Sequence, residues 1–124
     1  MKDKRSLQTN RHLNHLSVCG SFENSLRRQP SRVSAQPDTL ERTWNSLQQV
    51  MKKGALDPLT KELIYVAVSM TNSCEYCIRS HTLAAKKKGM SEEMLKELIA
   101  VVAMANETNR LVESYQVKID DFLK

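Results

Sequence analysis

Two cysteines and a histidine in the middle of the chain have the spacing of a thiol redox site. Cys74, Cys77 and His81 occupy positions i, i+3 and i+7 of the segment CEYCIRSH, which places them on one face of a helix. Thiols three residues apart form a disulfide with little backbone movement. A histidine one turn beyond Cys77 can accept its proton, as a thiol nucleophile requires. The spacing therefore predicts a dithiol with its own base.

The same segment leaves open which of the two thiols is the more acidic. Asn72 is a candidate N-cap, and Cys74 would then lie in the first helical turn. Free backbone amides and the positive end of the helix dipole favour a thiolate there. His81 follows Cys77 by one turn instead, and a neighbouring base favours ionisation of that thiol. The residues alone support both assignments.

Other roles fit these side chains as well. Two cysteines and one histidine are three of the four usual ligands of structural zinc. A fourth ligand would come from the N-terminal segment, where the candidates are His12, His15 and Cys19. Free cysteines are also often inert residues of a core. Our expectation is a site without metal or bound cofactor, and the sequence contains no Gly-rich phosphate loop.

The composition and the charge distribution point to one small helical domain with a basic extension. The chain has 124 residues, is 40% hydrophobic and 27% charged, and contains few glycines and prolines. The formal charge of +5 arises entirely in residues 1–36, because residues 37–124 contain twelve basic and twelve acidic side chains. We therefore predict a basic, polar extension over 1–36, a helical domain over 37–124, and no nucleic-acid partner. The absence of a leader-like or membrane-length apolar run favours a cytoplasmic protein that does not bind membranes.

The elements that must position the thiols are helices, so we predict an all-α fold. Capping residues, prolines and glycines delimit five helices. They run over about 39–53 with a capping box at Asp38, from Asp57-Pro58, from Asn72 to Gly89, from Ser91 to about 106, and over about 107–122. The second helix and the later half of the fourth are apolar on most sides. Such helices must be covered, and a small domain covers little, so we expect a homo-oligomer.

A glutamate upstream completes a recognisable pattern. Eleven residues separate Glu62 from Cys74, which yields Glu–Cys-x-x-Cys-x-x-x-His. This pattern closely resembles the alkylhydroperoxidase D-like group of the carboxymuconolactone decarboxylase family. The segment DPLTKE before an apolar helix, the alanines and glycine after His81, and NRL in the last helix agree with that group. The resemblance covers roughly residues 38–118.

The resemblance implies a fold, an assembly and an activity. The fold would be the small helical bundle of the alkylhydroperoxidase D-like type, assembled as a homo-oligomer, either trimer or hexamer. The activity would be that of a thiol-dependent peroxidase or disulfide reductase that reduces small alkyl hydroperoxides in antioxidant defence. Cys77 would be the peroxidatic thiol, Cys74 the resolving thiol and His81 the base, while Glu62 would orient His81 or relay protons to it. An external dithiol or lipoyl-type reductant would then reopen the disulfide.

One position departs from the family pattern. The peroxidase of this group that uses a lipoylated partner has a second histidine between the cysteines, where this chain has Tyr76. Tyr76 would line the substrate pocket or supply a phenolic proton. Two other functions remain open: a redox-sensing or stress-related oligomer with little turnover, and a protein resembling the small-acid lactone decarboxylases. That decarboxylase branch generally lacks the paired thiols.

Overall fold

The computed structural model describes residues 36–124 as helices joined by short turns. They are α1 (Pro37–Met51), α2 (Pro58–Thr71), α3 (Glu75–Lys87) and α4 (Glu92–Ser114), followed by a 3-10 turn at Asp121–Leu123. No strand occurs within these residues, which confirms the all-α prediction. The predicted extension lies outside them except for its last residue. The described residues divide into two compact units, with the boundary between Pro58 and Leu59.

Helix α1, in the first unit, begins earlier than the capping pattern predicts. Gln36 is its N-cap, Pro37 opens the helix, and Asp38 lies in the first turn. Proline at the first position has a backbone φ suited to a helix and lacks only an amide that would be unpaired there. The predicted Asp38 cap is therefore wrong. Leu40 and Trp44, one turn apart, are the buried residues of α1.

The turn between α2 and α3 determines where the helix that carries Cys77 and His81 begins. Ser73 adopts a φ of 56°. Its amide donates to the carbonyl of Met70, and the amide of Cys74 donates to that of Ser69 at 3.0 Å. This is the Schellman arrangement, in which a left-handed residue closes a helix. Asn72 and Ser73 form the turn that closes α2. The predicted cap at Asn72 is therefore wrong, and Cys74 is itself the N-cap of α3.

The end of α3 follows the prediction. Gly89 has a φ of +103°, and the amide of Met90 donates to the carbonyl of Ala85 at 3.0 Å. This is a second Schellman closure. Ser91 then caps α4 by accepting a hydrogen bond from the Met94 amide at 3.1 Å, as its residue type favours.

The two predicted C-terminal helices are one helix. Helix α4 runs without a break through residues 106 and 107, where a boundary was predicted. Its polar residues there bond to the helix itself. Asn106 donates to the carbonyl of Val102 at 2.8 Å and Thr108 to that of Met104 at 3.0 Å. Side chains satisfied in this way do not end a helix.

Helices α2 and α3 form an antiparallel hairpin inside the second unit. Glu62, Val66 and Ser69 are buried on one face of α2. Glu62, near the start of α2, contacts His81 in the middle of α3 and Lys88 at its C-cap, whereas Ser69 contacts Cys74 at the beginning of α3. The face of α2 that carries Glu62 is therefore held against α3 at both ends. None of the described helices has the length and apolar composition needed to cross a membrane.

Substitution of Gly89 by alanine is expected to lower the free energy of unfolding by about 1–2 kcal/mol, because left-handed backbone is strained for any residue with a Cβ. The cause would be the backbone alone, since a Cβ at Gly89 meets no atom within 4 Å. Urea denaturation measures the change. Gly54→Ala is the matched control, since Gly54 does not share the positive φ. Equal losses in the two variants would contradict this account.

Candidate functional site

A buried carboxylate lies at the centre of the site. Glu62 belongs to the first half of α2 and is only 5% exposed. Its oxygen Oε2 lies 2.6 Å from Nδ1 of His81, and its oxygen Oε1 accepts a hydrogen bond from Nζ of Lys88 at 2.8 Å. Hydrogen bonds between ionised partners are among the stronger ones in proteins. Both carboxylate oxygens of Glu62 are therefore engaged by α3.

These contacts keep Glu62 ionised. Burial by itself raises the pKa of a carboxyl, but the hydrogen bonds and charges of His81 and Lys88 outweigh it and hold the pKa of Glu62 below its ordinary value of 4.5. An ionised carboxylate only accepts hydrogen bonds. Nδ1 of His81 must then carry a hydrogen and donate it to Glu62. In the neutral imidazole, the lone pair is left on Nε2.

Tyr65 restrains the same imidazole from α2. Its ring stacks on that of His81 with the centroids 3.6 Å apart and the planes inclined by 19°. Tyr65 covers one face of the ring, while Glu62 fixes its edge. His81 is thus held by two contacts from one helix, and the orientation of Nε2 is set by both.

The two cysteines at the start of α3 are joined. Cys74 and Cys77 form a disulfide with their Cα atoms 5.4 Å apart. Cys74 is the N-cap, anchored to α2 through its amide, and Cys77 lies in the first turn of α3. His81 follows Cys77 by one turn, so their side chains project from the same face of the helix. Both cysteines are partly exposed.

The structure thus brings two pairs of predicted residues together. Glu62 contacts His81, and Cys74 is bonded to Cys77, with His81 one turn beyond on the same helix. Tyr76 lies on α3 between the cysteines and is 41% exposed. Within residues 36–124, no group of three His, Cys, Asp or Glu side chains is arranged to bind a metal. The other zinc candidates (His12, His15 and Cys19) lie outside the described residues.

Sequence reasoning missed two members of the site, Tyr65 and Lys88. Lys88 is the last of three consecutive lysines at the end of α3, and lysines at a helix C-terminus usually lie in solvent, where their charge complements the helix dipole. Its side chain is only 22% exposed, against 41% for Lys86, which pairs with Glu92. The available signal was its position seven residues after His81, which returns it to the same helix face. Tyr65 stands three residues after Glu62, a spacing that also shares a face.

The arrangement can perform base-assisted thiol chemistry. A dithiol at a helix start, a histidine one turn away and a carboxylate that orients that histidine are the parts of an activated thiol nucleophile. The carboxylate selects the tautomer of His81, and Nε2 is the atom that can exchange a proton with a thiol or a bound substrate. None of these steps requires a metal ion.

Comparison with known proteins places this site in a family context. A family model described as the carboxymuconolactone decarboxylase family matches residues 37–117. The crystal structure of an alkylhydroperoxidase AhpD core from Rhodospirillum rubrum is similar over 98% of this chain and 93% of that one, with a TM-score of 0.70 and 36% sequence identity.

Two curated relatives match over shorter segments. The uncharacterized protein 4 in the cox locus of Paracoccus denitrificans is 43% identical over 54 residues, which is 44% of this chain and 49% of that protein. The alkyl hydroperoxide reductase AhpD of Solibacter usitatus is 35% identical over 72 residues, which is 58% of this chain and 39% of that protein. The matched segments thus span less than half of the length of either relative.

The contacts of Glu62 predict how stability depends on pH. A carboxyl whose pKa is lower in the folded than in the unfolded chain stabilises the fold above its ordinary pKa, and this stabilisation is lost as the pH falls through the folded value. The advantage of the wild type over Glu62→Gln in free energy of unfolding should therefore be largest near neutral pH and shrink below pH 4.5. Urea denaturation at a series of pH values measures it. Glu93→Gln, an exposed position on α4, is the control, and a Glu62→Gln difference that stays constant with pH would contradict the assignment.

Proposed function

The chain belongs to the carboxymuconolactone decarboxylase family, and on this premise we propose that it is a thiol-dependent peroxidase that reduces small alkyl hydroperoxides with electrons from an external dithiol. One observation carries the proposal. The Cys74–Cys77 pair precedes His81 by one helical turn, and the buried carboxylate of Glu62 holds that histidine at 2.6 Å. The proposal also draws support from relatives and a solved structure that bear the AhpD name.

The oxidative half of the cycle starts from the reduced protein. Nε2 of His81 takes the proton of Cys77, and the thiolate attacks one oxygen of the hydroperoxide. The O–O bond breaks, and the departing alkoxide takes the proton back from His81 and leaves as an alcohol. Cys77 is oxidised to a sulfenic acid. The thiol of Cys74 then attacks that sulfur, the S–S bond forms, and the oxygen leaves as water.

The reductive half needs an electron donor of the dithiol class. A thiolate of the donor attacks one sulfur of the Cys74–Cys77 bridge and forms a mixed disulfide, and its second thiol releases the protein thiol. The donor is oxidised to its own disulfide, and Cys74 and Cys77 are both restored. We propose a dithiol or a lipoyl-type group for this role, because two linked thiols complete the exchange in one encounter. Partial exposure of both cysteines is compatible with such an approach.

We further propose that the protein works as a homo-oligomer, either trimer or hexamer. Helix α4 has no buried residue, although about half of its residues are apolar. Val101 is 65% exposed and Met104 is 58% exposed in the isolated chain. A helix with apolar side chains on most sides needs cover from other protein surfaces. Further copies of the chain would provide that cover.

One equivalent of alkyl hydroperoxide added to the reduced protein should consume two of the three thiols and leave Cys19 free. The physical reason is that the sulfenic acid on Cys77 condenses with the neighbouring Cys74. Thiol titration with peptide mapping measures this, and peroxide consumption with a dithiol donor measures turnover. Cys77→Ser should reduce turnover to the uncatalysed rate. Cys74→Ser should stop at a sulfenic acid that a dione reagent traps.

The alternatives make different predictions in the same experiments. Wild-type turnover equal to that of Cys77→Ser, with dithiol supplied, would end the peroxidase proposal. A change of oligomer size on oxidation without turnover would identify a redox sensor instead. Lactone decarboxylation that survives in the Cys74→Ser/Cys77→Ser double variant would identify a decarboxylase. Thiols released only after chelation would identify zinc.

The assembly is tested by sedimentation. The wild type should have a mass three or six times that of the 14.2 kDa chain. The double variant Val101→Asp/Met104→Asp should sediment as smaller species, because buried unpaired carboxylates oppose association. Asn109→Asp, at an exposed polar position of α4, controls for added charge. A monomeric wild type would refute the proposed assembly but would not contradict the proposed thiol chemistry.

A further inference from the structure

We propose that Lys88 is a positioning residue of the thiol site, whose ammonium balances the buried negative charge of Glu62 and so leaves His81 to accept a proton from Cys77. The inference rests on the proposed function of Cys77 and His81, and it adds a residue that the Glu–Cys-x-x-Cys-x-x-x-His pattern does not contain. Three observations support it: the contact between Lys88 and Glu62, the low exposure of both side chains, and the sum of the charges in the site.

The geometry sets Lys88 apart from its neighbours. Its Nζ donates to Oε1 of Glu62 at 2.8 Å, and its side chain is 22% exposed. Lys86 turns outward to Glu92, and Lys87 is exposed. Lys88 is the C-cap of α3, and a lysine side chain is long enough to run along the helix surface with its charge at the far end. The last of the three lysines is thus directed into the site.

The charge count explains what this contact does. A carboxylate that is 5% exposed is costly to bury without a compensating positive charge. If His81 were its partner alone, the pair would be neutral only with an imidazolium, and an imidazolium cannot accept a proton. Lys88 makes the pair with Glu62 neutral by itself. His81 can then donate from Nδ1 as a neutral ring and keep the lone pair on Nε2.

The same positive charge favours the thiolate. The groups placed against this carboxylate and imidazole are Lys88 and His81 from α3, with Tyr65 from α2 stacked on the ring. Release of the Cys77 proton to water, which the pH dependence of alkylation reports, adds one negative charge to the site. With Lys88 present, the summed charge of Lys88, Glu62 and the Cys77 sulfur then falls from zero to minus one, and without Lys88 it falls from minus one to minus two in a partly buried site. Removal of Lys88 therefore opposes thiolate formation.

The test measures the reactivity of Cys77 directly. In a full-length Cys19→Ser/Cys74→Ser background, Cys77 is the one remaining thiol, and its alkylation by iodoacetamide is followed from about pH 5 to about pH 9. Lys88→Met removes the charge and keeps the aliphatic length, Lys88→Gln is a second neutral variant, and Lys88→Arg restores a cation. Lys87→Met, one residue away and exposed, is the matched control.

Both neutral variants at Lys88 should move the midpoint of the alkylation profile upward by roughly half to one pH unit, as expected for the loss of one nearby cation. Lys88→Arg should restore the wild-type midpoint, and Lys87→Met should leave it unchanged. Peroxide turnover near pH 6.5 should fall about 3- to 10-fold in Lys88→Met, through the rate of thiol attack.

Three results would overturn the proposal. They are an unchanged midpoint in the neutral variants, an equal shift in Lys87→Met, or a shift that Lys88→Arg does not reverse. The last would mean that packing and not charge is responsible. If Lys88→Met fails to fold, Lys88→Gln decides on the same criterion. Alkylation of Cys77 does not depend on peroxide turnover. A wild-type protein without peroxidase activity would therefore refute the proposed function, while the alkylation profiles would still test the role of Lys88.

Discussion

The Glu62 carboxylate is a charge removed from water, and it is stable there because two donors on the opposite helix engage its two oxygens. Such an arrangement is demanding, since a buried charge tolerates little displacement of its partners. It couples the beginning of α2 to the middle and the C-cap of α3. The backbone hydrogen bonds of the turn at Ser73 hold the end of α2 against the beginning of α3. Between these two constraints, the register of the hairpin is determined, and the thiols and the imidazole occupy one side of it.

The state of Glu62 also bears on the division of labour in the site. Orientation of His81 and relay of protons to it were both open roles for this residue. With each oxygen occupied and the pKa held below its ordinary value, the carboxylate is a poor proton carrier near neutral pH. We infer that it orients the ring and selects the tautomer, as carboxylates behind catalytic histidines do. In the proposed cycle, proton transfer would then be carried out by Nε2 of His81.

The sequence was informative where the signal was local. The helical class, the closure at Gly89 and the cap at Ser91 each follow from one or two residues with strong backbone preferences. The errors came from features that compete or act at a distance. Asn72 is of a residue type that often caps a helix, but in the structure it belongs to the Schellman closure at the end of α2. Lys88 could not be distinguished from a solvated lysine, because its partner is 26 residues away.

Cys74 takes part in the closure of α2 and is also the N-cap of α3. This position affects how the disulfide can form and open. The amide of Cys74 is tied to the carbonyl of Ser69, so its Cα stays in place relative to α2 whatever its sulfur is bonded to. We infer that the bridge is made or broken mainly by rotation about side-chain bonds. In the proposed cycle, the main chain would keep its place on oxidation, and a dithiol donor would meet the same surface in each turnover.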